Sequence, residues 1–345
     1  MKLKKLSEII IKTFKKSGFV LSEPEVLLDS NYIIERSGEK FRSSMLTVEG
    51  EDGKTMCLRP DLTVASCISF LRKKSPSKIY YSGQAYRRSG NKGKNFIHDQ
   101  LGIEILGSKN QIQDDLIVIN TILSSAKKIK SKKILIKVGD ISLFKSLINA
   151  LDMPERWKLR LIRHFWRPIY FEELLKRLEK NTDTDAVTFD ADKKRFYEMK
   201  KRDQDSVVAG RSISEILKRF DKKMKDPRSF VDGKKIVKII KSFLKINCKL
   251  SELDERLLDF AKKNNLNKNI FTDFKSILNL KKLNQDIIFI ANFGRDVEYY
   301  TGIVFEVFSG KKEIARGGRY DDLLKSLGAK KNTPAVGAAI NLKNI

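Results

Sequence analysis

The chain has 345 residues, 41% of them apolar, and its 70 basic and 43 acidic side chains give a formal charge of +27. That length supports a full core in one large domain plus a smaller one, and no apolar run approaches the roughly 18 residues of a membrane-spanning helix. The positive excess is spread as lysine pairs along helix faces beside Ile and Asn, which argues against a specific nucleic-acid groove. Three cysteines (Cys57, Cys67, Cys248) and two histidines (His98, His164) show no metal-ligand spacing. No Walker loop or GxGxxG strand-turn-helix occurs. Buried free thiols, no metal, no cofactor and a cytoplasmic location are the expectations.

In chain order, MKLKKLSEIIIKTFKK predicts an amphipathic helix over 3–17 with Leu3, Leu6, Ile10 and Phe14 on one face, ended at Gly18. Hairpin strands follow at 42–48 and 54–58, turning at Gly53. A helix over 62–73 has Asp61 placed as its cap. YYSGQAYRR and FIHDQLGIEILG alternate as strands and read as an antiparallel hairpin around a Gly/Lys/Asn loop. A helix over 111–130 has an acidic start and a basic end, as the macrodipole prefers.

A strand over 132–138 leads into a helix starting at Gly139-Asp140, and from there to about residue 280 helical stretches dominate. Trp157, Phe165 and Trp166 in this stretch read as core. Strands return at Ile287. Gly317-Gly318 reads as a turn where backbone approaches something closely, and PAVGAAI as a closing strand. Three segments result: 1–130, an inserted mainly helical region over 131–285, and 286–345 completing the first. The fold class is α+β, one mostly antiparallel sheet interrupted by helices.

Gln100 and Glu104 lie four apart, on one side of their strand, with Arg87 on the strand before. Such a floor suits a small zwitterion: an arginine for its carboxylate, carboxyl and amide groups for its ammonium and side chain. Arg87 and Glu104 could instead form an ion pair within the sheet, Asp61 only cap its helix, and Thr63 be only a first-turn residue. His98 is expected at the surface.

LRPDLT, the YRR hairpin, DQLGIE, GRDVEYYTGIVFE, GGRYDDL and TPAVGAAI occur in the order seen in the histidyl-tRNA synthetase catalytic core. More closely, the chain resembles that enzyme's paralogues, the regulatory subunits of short-form ATP phosphoribosyltransferase. The resemblance implies a class II synthetase-like antiparallel sheet flanked by helices, normally dimeric. It implies that Asp61 and Thr63, with Gln100 beside them, hold an α-ammonium. Arg87 and Arg295 would lie near a carboxylate, with Glu104 and Tyr300 facing an imidazole. Since neighbours on a strand alternate, Tyr299 would face the core.

Three departures favour the paralogue over the synthetase. Arg87 is followed by Arg88 and Ser89, where the synthetase carries a Glu that reads adenine. Asn344 stands about where an adenine-stacking Arg belongs, and the chain stops at Ile345 with no anticodon-binding domain. Asp296, next to Arg295, is positioned to quench its charge. The expectation is a non-catalytic regulatory subunit in histidine biosynthesis, self-associating within a hetero-octamer with the short catalytic subunit and conveying L-histidine feedback. The rivals are a truncated synthetase forming histidyl-adenylate and a tRNA-binding paralogue.

Overall fold

The computed structural model describes residues 2–31, 33, 44–50, 53–73, 77–88, 96–108, 110–129, 133–180, 186–201, 207–208, 211–225, 232–271, 275–283, 285–295 and 298–345. Ser89, the Lys92–Asn95 loop and Asp296 lie outside them. The chain forms two compact units, one of residues 1–143, 246–259 and 271–345, the other of 144–245 and 260–270.

The first unit begins with α1 (Lys2–Lys16), β1 (Val20–Leu21), β2 (Leu27–Asp29), β3 (Leu46–Glu49), β4 (Thr55–Leu58), α2 (Leu62–Lys73), β5 (Lys78–Tyr86), β6 (Ile97–Leu106), α3 (Gln111–Lys128) and β7 (Ile134–Asp140). Helix α4 (Ile141–Ala150) then carries the chain into the second unit, which holds α5 (Glu155–Arg163), α6 (Pro168–Glu179), α7 (Ala186–Lys200), β8 (Val207–Val208), β9 (Arg211–Ser212), α8 (Ile213–Lys225) and α9 (Gly233–Leu244). The remaining elements are β10 (Asn247–Lys249), α10 (Leu253–Lys263), α11 (Lys275–Asn279), β11 (Asp286–Ile290), β12 (Ile303–Ser309), β13 (Lys312–Arg319), α12 (Leu323–Ser326) and β14 (Ala335–Asn341).

Nine strands make one sheet in the order β1-β5-β6-β14-β13-β12-β7-β11-β10. Only β1 with β5 and β7 with β11 run parallel; the other neighbours are antiparallel. A small sheet, β2-β4-β3, stands beside α2 in sequence. The β5–β6 hairpin forms as its alternation requires, pairing Tyr81 with Gly102 and Gly83 with Gln100. Ile10 and Phe14 of α1 are fully buried, as its apolar stripe dictates. The three cysteines are buried free thiols. Among the described residues no helix is long and apolar enough to cross a membrane, and no cluster suits a metal ion.

The second unit is built from helices around aromatic side chains. Phe144 stacks on Phe165 at 3.8 Å, and Phe171 meets both edge-on. Trp157 is 1% exposed, so it is core, whereas Trp166 is only half-buried. Helix α7 has no counterpart in the sequence reading. Apolar and charged residues are mixed around this helix, so the periodic signal is missing.

Two local expectations are corrected. Gly317 and Gly318 lie inside β13 rather than in a turn. Close approach is what demands glycine there, since a Cβ on Gly317 would sit 2.4 Å from the Gly337 carbonyl oxygen. Tyr299 and Tyr300 precede β12 outside any strand; Tyr299 packs against the core as expected, but Tyr300 does so too, so strand alternation does not separate them.

Candidate ligand-binding site

One face of the large sheet is carved into a trough by small residues. Directly opposed residues in antiparallel strands point to the same side, and the register aligns Glu104 with Gly337 and Gly337 with Gly318. One step along, Gly102 opposes Ala339, which opposes Arg316, which opposes Glu306. Glycine and alanine hollow out the middle, and charged side chains stand around it. Tyr81 lays its ring over Gly102, where a Cβ would come within 2.4 Å of the phenol.

A cavity of about 390 Å³ results, lined by residues of the sheet, the start of α2 and the Tyr299-Tyr300 turn. Of the seven sequence-predicted site residues, Asp61, Thr63, Arg87, Gln100, Glu104 and Tyr300 line it. Arg295 is not among the lining residues. It is buried, with Nη1 donating to Asn292 Oδ1 at 2.6 Å.

Asp61 both caps α2, its Oδ1 accepting from the Val64 amide at 2.8 Å, and faces the cavity. Burial raises its carboxyl above the usual range, against the pull of helix amides and Arg87. Gln100 Oε1 accepts from the Leu62 amide at 3.2 Å, which ties β6 to the first turn of α2. Arg87 Nη1 donates to the Pro60 carbonyl at 3.0 Å.

Glu104 is 1% exposed and sits at the bottom. Thr63 Oγ1 donates to its Oε1 at 2.8 Å, Tyr81 Oη to the same oxygen at 3.1 Å, and Tyr320 Oη to Oε2. Three hydroxyls rather than Arg87 therefore satisfy it, and among the described residues no ion pair joins Glu104 to Arg87. Burial outweighs the hydroxyls and lifts its pKa to about 7. A carboxyl raised in the fold stabilises it below the unfolded value of 4.5, and that stability is lost as pH rises through 7. Glu104→Gln is therefore expected to flatten the pH dependence of unfolding across this window by a few kcal/mol. Urea midpoints at pH 5 and pH 8 measure it; equal slopes in both proteins would refute the assignment.

The sequence reading missed several cavity residues. His98 lines the cavity instead of lying at the surface, and Tyr299 lines it together with Tyr300, their rings meeting edge-on at 5.1 Å. Arg316 was not singled out. Its Nη2 contacts Glu306 Oε1 at 2.6 Å across the strand pair and Glu313 Oε2 at 3.0 Å along its own strand. The available signal was the cross-strand register, which places opposite charges opposite each other. Asn344, where the synthetase resemblance expects an adenine-stacking arginine, donates from Nδ2 to the Glu313 carbonyl at 2.6 Å.

Five carboxyl side chains line the cavity against two guanidiniums and one lysine. Carboxyl and cationic side chains around one small cavity suit a zwitterionic ligand. A model of the family described as histidyl-tRNA synthetase matches residues 1–189 and 208–345. An ATP phosphoribosyltransferase regulatory subunit of Allorhizobium ampelinum is 30% identical over 357 residues, covering 97% of this chain and 95% of that one.

The chain belongs to the ATP phosphoribosyltransferase regulatory-subunit branch of the histidyl-tRNA synthetase family.

A further regulatory subunit of this family, from Brucella anthropi, is 29% identical over 94% of this chain and 92% of its own. In fold, the chain is similar to an ATP phosphoribosyltransferase regulatory subunit/histidyl-tRNA synthetase from Bacillus halodurans C (TM-score 0.60, 16% identity, 99% of this chain and 77% of that one). It is also similar to the histidyl-tRNA synthetase of Nostoc sp. PCC 7120 (TM-score 0.63, 15% identity, 99% and 70%). The synthetase-like fold of this family is thus present: an α+β structure with a mixed, mostly antiparallel sheet and flanking helices.

Proposed function

We propose that this chain is a non-catalytic regulatory subunit of ATP phosphoribosyltransferase in the first step of histidine biosynthesis. Near-complete coverage of relatives bearing that name is the observation that carries the reading. The catalytic work, joining ATP to phosphoribosyl pyrophosphate, falls to a separate short subunit in the cytoplasm. The two chains assemble as a hetero-octamer, this one also contacting copies of itself.

The cavity supports a role in histidine feedback. Glu104 and Tyr300 are the groups for an imidazole, Asp61, Thr63 and Gln100 for the α-ammonium, and Arg87 for the carboxylate. A cationic ligand beside Glu104 draws the proton off that carboxyl and gains a charged partner. Coupling of this site to the distant active site is a free-energy difference between assembled states, reciprocal by linkage. A catalytic role for the cavity is disfavoured by Asn344, whose amide is engaged with the Glu313 backbone. The helical unit is read as an insertion, since the chain leaves the sheet unit after residue 143 and returns to it at 246.

Co-expression with the same organism's short catalytic subunit, followed by size-exclusion chromatography and a phosphoribosyl-ATP assay, tests the reading. Co-elution, a large gain in activity and its suppression by L-histidine are expected. Absence of complex and activation, or histidine-dependent ATP–pyrophosphate exchange by this chain alone, would overturn it.

A further inference from the structure

One wall of the cavity owes its charge pattern to a β-bulge. The pairing of β12 with β13 shifts between Val307 and Phe308: Val307 opposes Ala315 and Phe308 opposes Glu313, which leaves Ile314 as the extra residue. In an unbroken strand Glu313, three positions before Arg316, would point to the opposite side of the sheet. The bulge turns it to the side of Arg316 and Glu306, and Glu313 and Arg316 both line the cavity. Bulges concentrate beside functional sites, where they re-aim a side chain.

Arg316 is thereby clamped. Its Nη2 contacts Glu306 Oε1 at 2.6 Å and Glu313 Oε2 at 3.0 Å. A cross-strand ion pair needs only Glu306; the second carboxylate fixes where the guanidinium stands. Burial works against its charge, but the two glutamates outweigh burial and keep it protonated. The side chain is still 35% exposed. Its cross-strand neighbour Ala339 and, beyond that, Gly102 are too small to cover it.

The rows of the sheet supply a length. Glu104, Gly337 and Gly318 form one row, with the Tyr300 ring against Gly318, where a Cβ would meet it at 2.7 Å. Arg316 stands two residues along β13 on the same side, roughly 7 Å from that row. This is comparable to the span from side chain to carboxylate in one extended amino acid of histidine's size. The Arg316 charge reaches the Tyr300 phenol, lowering a pKa that burial raises. Arg87 is tied to the Pro60 carbonyl beyond the end of β5, and Arg295 is not among the lining residues.

We propose that Arg316 selects a ligand with a free carboxylate, its guanidinium receiving that group on the β13 side of the cavity while Glu306 and Glu313 act as positioning residues. This rests on the amino-acid ligand proposed above and adds the feature that separates an α-amino acid from the corresponding amino alcohol.

Competition dialysis of the full chain with L-histidine and L-histidinol, which carries a hydroxymethyl group in place of the carboxylate, tests this. The unaltered protein is expected to prefer L-histidine. Arg316→Met is expected to weaken L-histidine about tenfold or more, the scale of a charge-assisted hydrogen bond, and to leave L-histidinol within about twofold. Arg316→Lys keeps the charge without the planar fork and should fall between. Glu313→Gln, which loosens the clamp, should lower the same preference by a smaller factor. Thermal unfolding checks that each variant folds; Arg316→Met/Glu306→Gln removes the cross-strand pair as a unit and replaces Arg316→Met if that variant does not. A preference for L-histidine that survives loss of Arg316, or an equal loss for both ligands, overturns the role of Arg316 alone. An unaltered chain that binds neither ligand instead refutes the ligand reading, and the proposal falls with it.

Discussion

Arg319→Met is expected to destabilise the sheet unit by about 3–5 kcal/mol at neutral pH, the scale for removing one partner of a buried ion pair. Arg319 is 4% exposed and closes β13. Its Nε and Nη2 donate to Asp115 Oδ1 at 3.0 and 2.6 Å, Nη2 also to the Gln111 carbonyl at 2.9 Å, and Nη1 to Asp321 Oδ1 at 2.9 Å. Methionine fills most of the volume but leaves the Asp115 carboxylate buried without its cation. Burial already lifts that carboxyl. In the variant the deficit should therefore shrink as pH falls, because protonation removes the uncompensated charge. Denaturation midpoints at pH 7 and pH 5 measure both effects. A loss under 1 kcal/mol (roughly the surface-pair scale), or a deficit independent of pH, would contradict the assignment. Arg319→Lys keeps the charge but not the planar fork, and an intermediate loss is expected.

Gly337→Ala is the second large effect, and it should strike stability and ligand binding together. The position faces Glu104 across the β6–β14 pair, and a Cβ there would lie 1.4 Å from Glu104 Oε2 and 2.8 Å from the Ile103 carbonyl oxygen. The backbone oxygen cannot retreat, so the carboxyl must leave its place between Thr63, Tyr81 and Tyr320. Overpacking of this kind costs about 1–3 kcal/mol, and the displaced group also loses its hydroxyl partners. With the cavity floor rebuilt, the L-histidine binding proposed for this cavity should disappear while the chain still folds. Equilibrium dialysis and thermal unfolding of the same preparation separate the two losses. Undiminished affinity would show that the ligand does not use this floor.

Much of this was legible in the sequence where the signal is local. The alternation in YYSGQAYRR and FIHDQLGIEILG produced the β5–β6 hairpin. Asp61 ahead of an apolar run announced the α2 cap, and spacing alone put Gln100 and Glu104 on one side of a strand. Six of seven named site residues reached the cavity through such signals together with the motif resemblance. Where a segment had no regular period the inference failed: the turn that sends both Tyr299 and Tyr300 inward, and helix α7 with its scattered apolar residues.

What the sequence by itself determined was the order of elements, the amphipathic faces, the family motifs and the basic surplus. Only the tertiary structure decided what Glu104 meets. Its partner Tyr320 is 216 positions away, and the pairing depends on β6 and β13 flanking β14 in one register. The same register sets Glu306 against Arg316, brings His98 to the cavity and lets Gly337 and Gly318 hollow the sheet. Periodicity fixes which way a residue faces on its own element, while its neighbours across the sheet come from strands that the chain supplies far apart and only folding brings together; Arg295, beside Asn292 in the turn after β11, had no period to fix its direction.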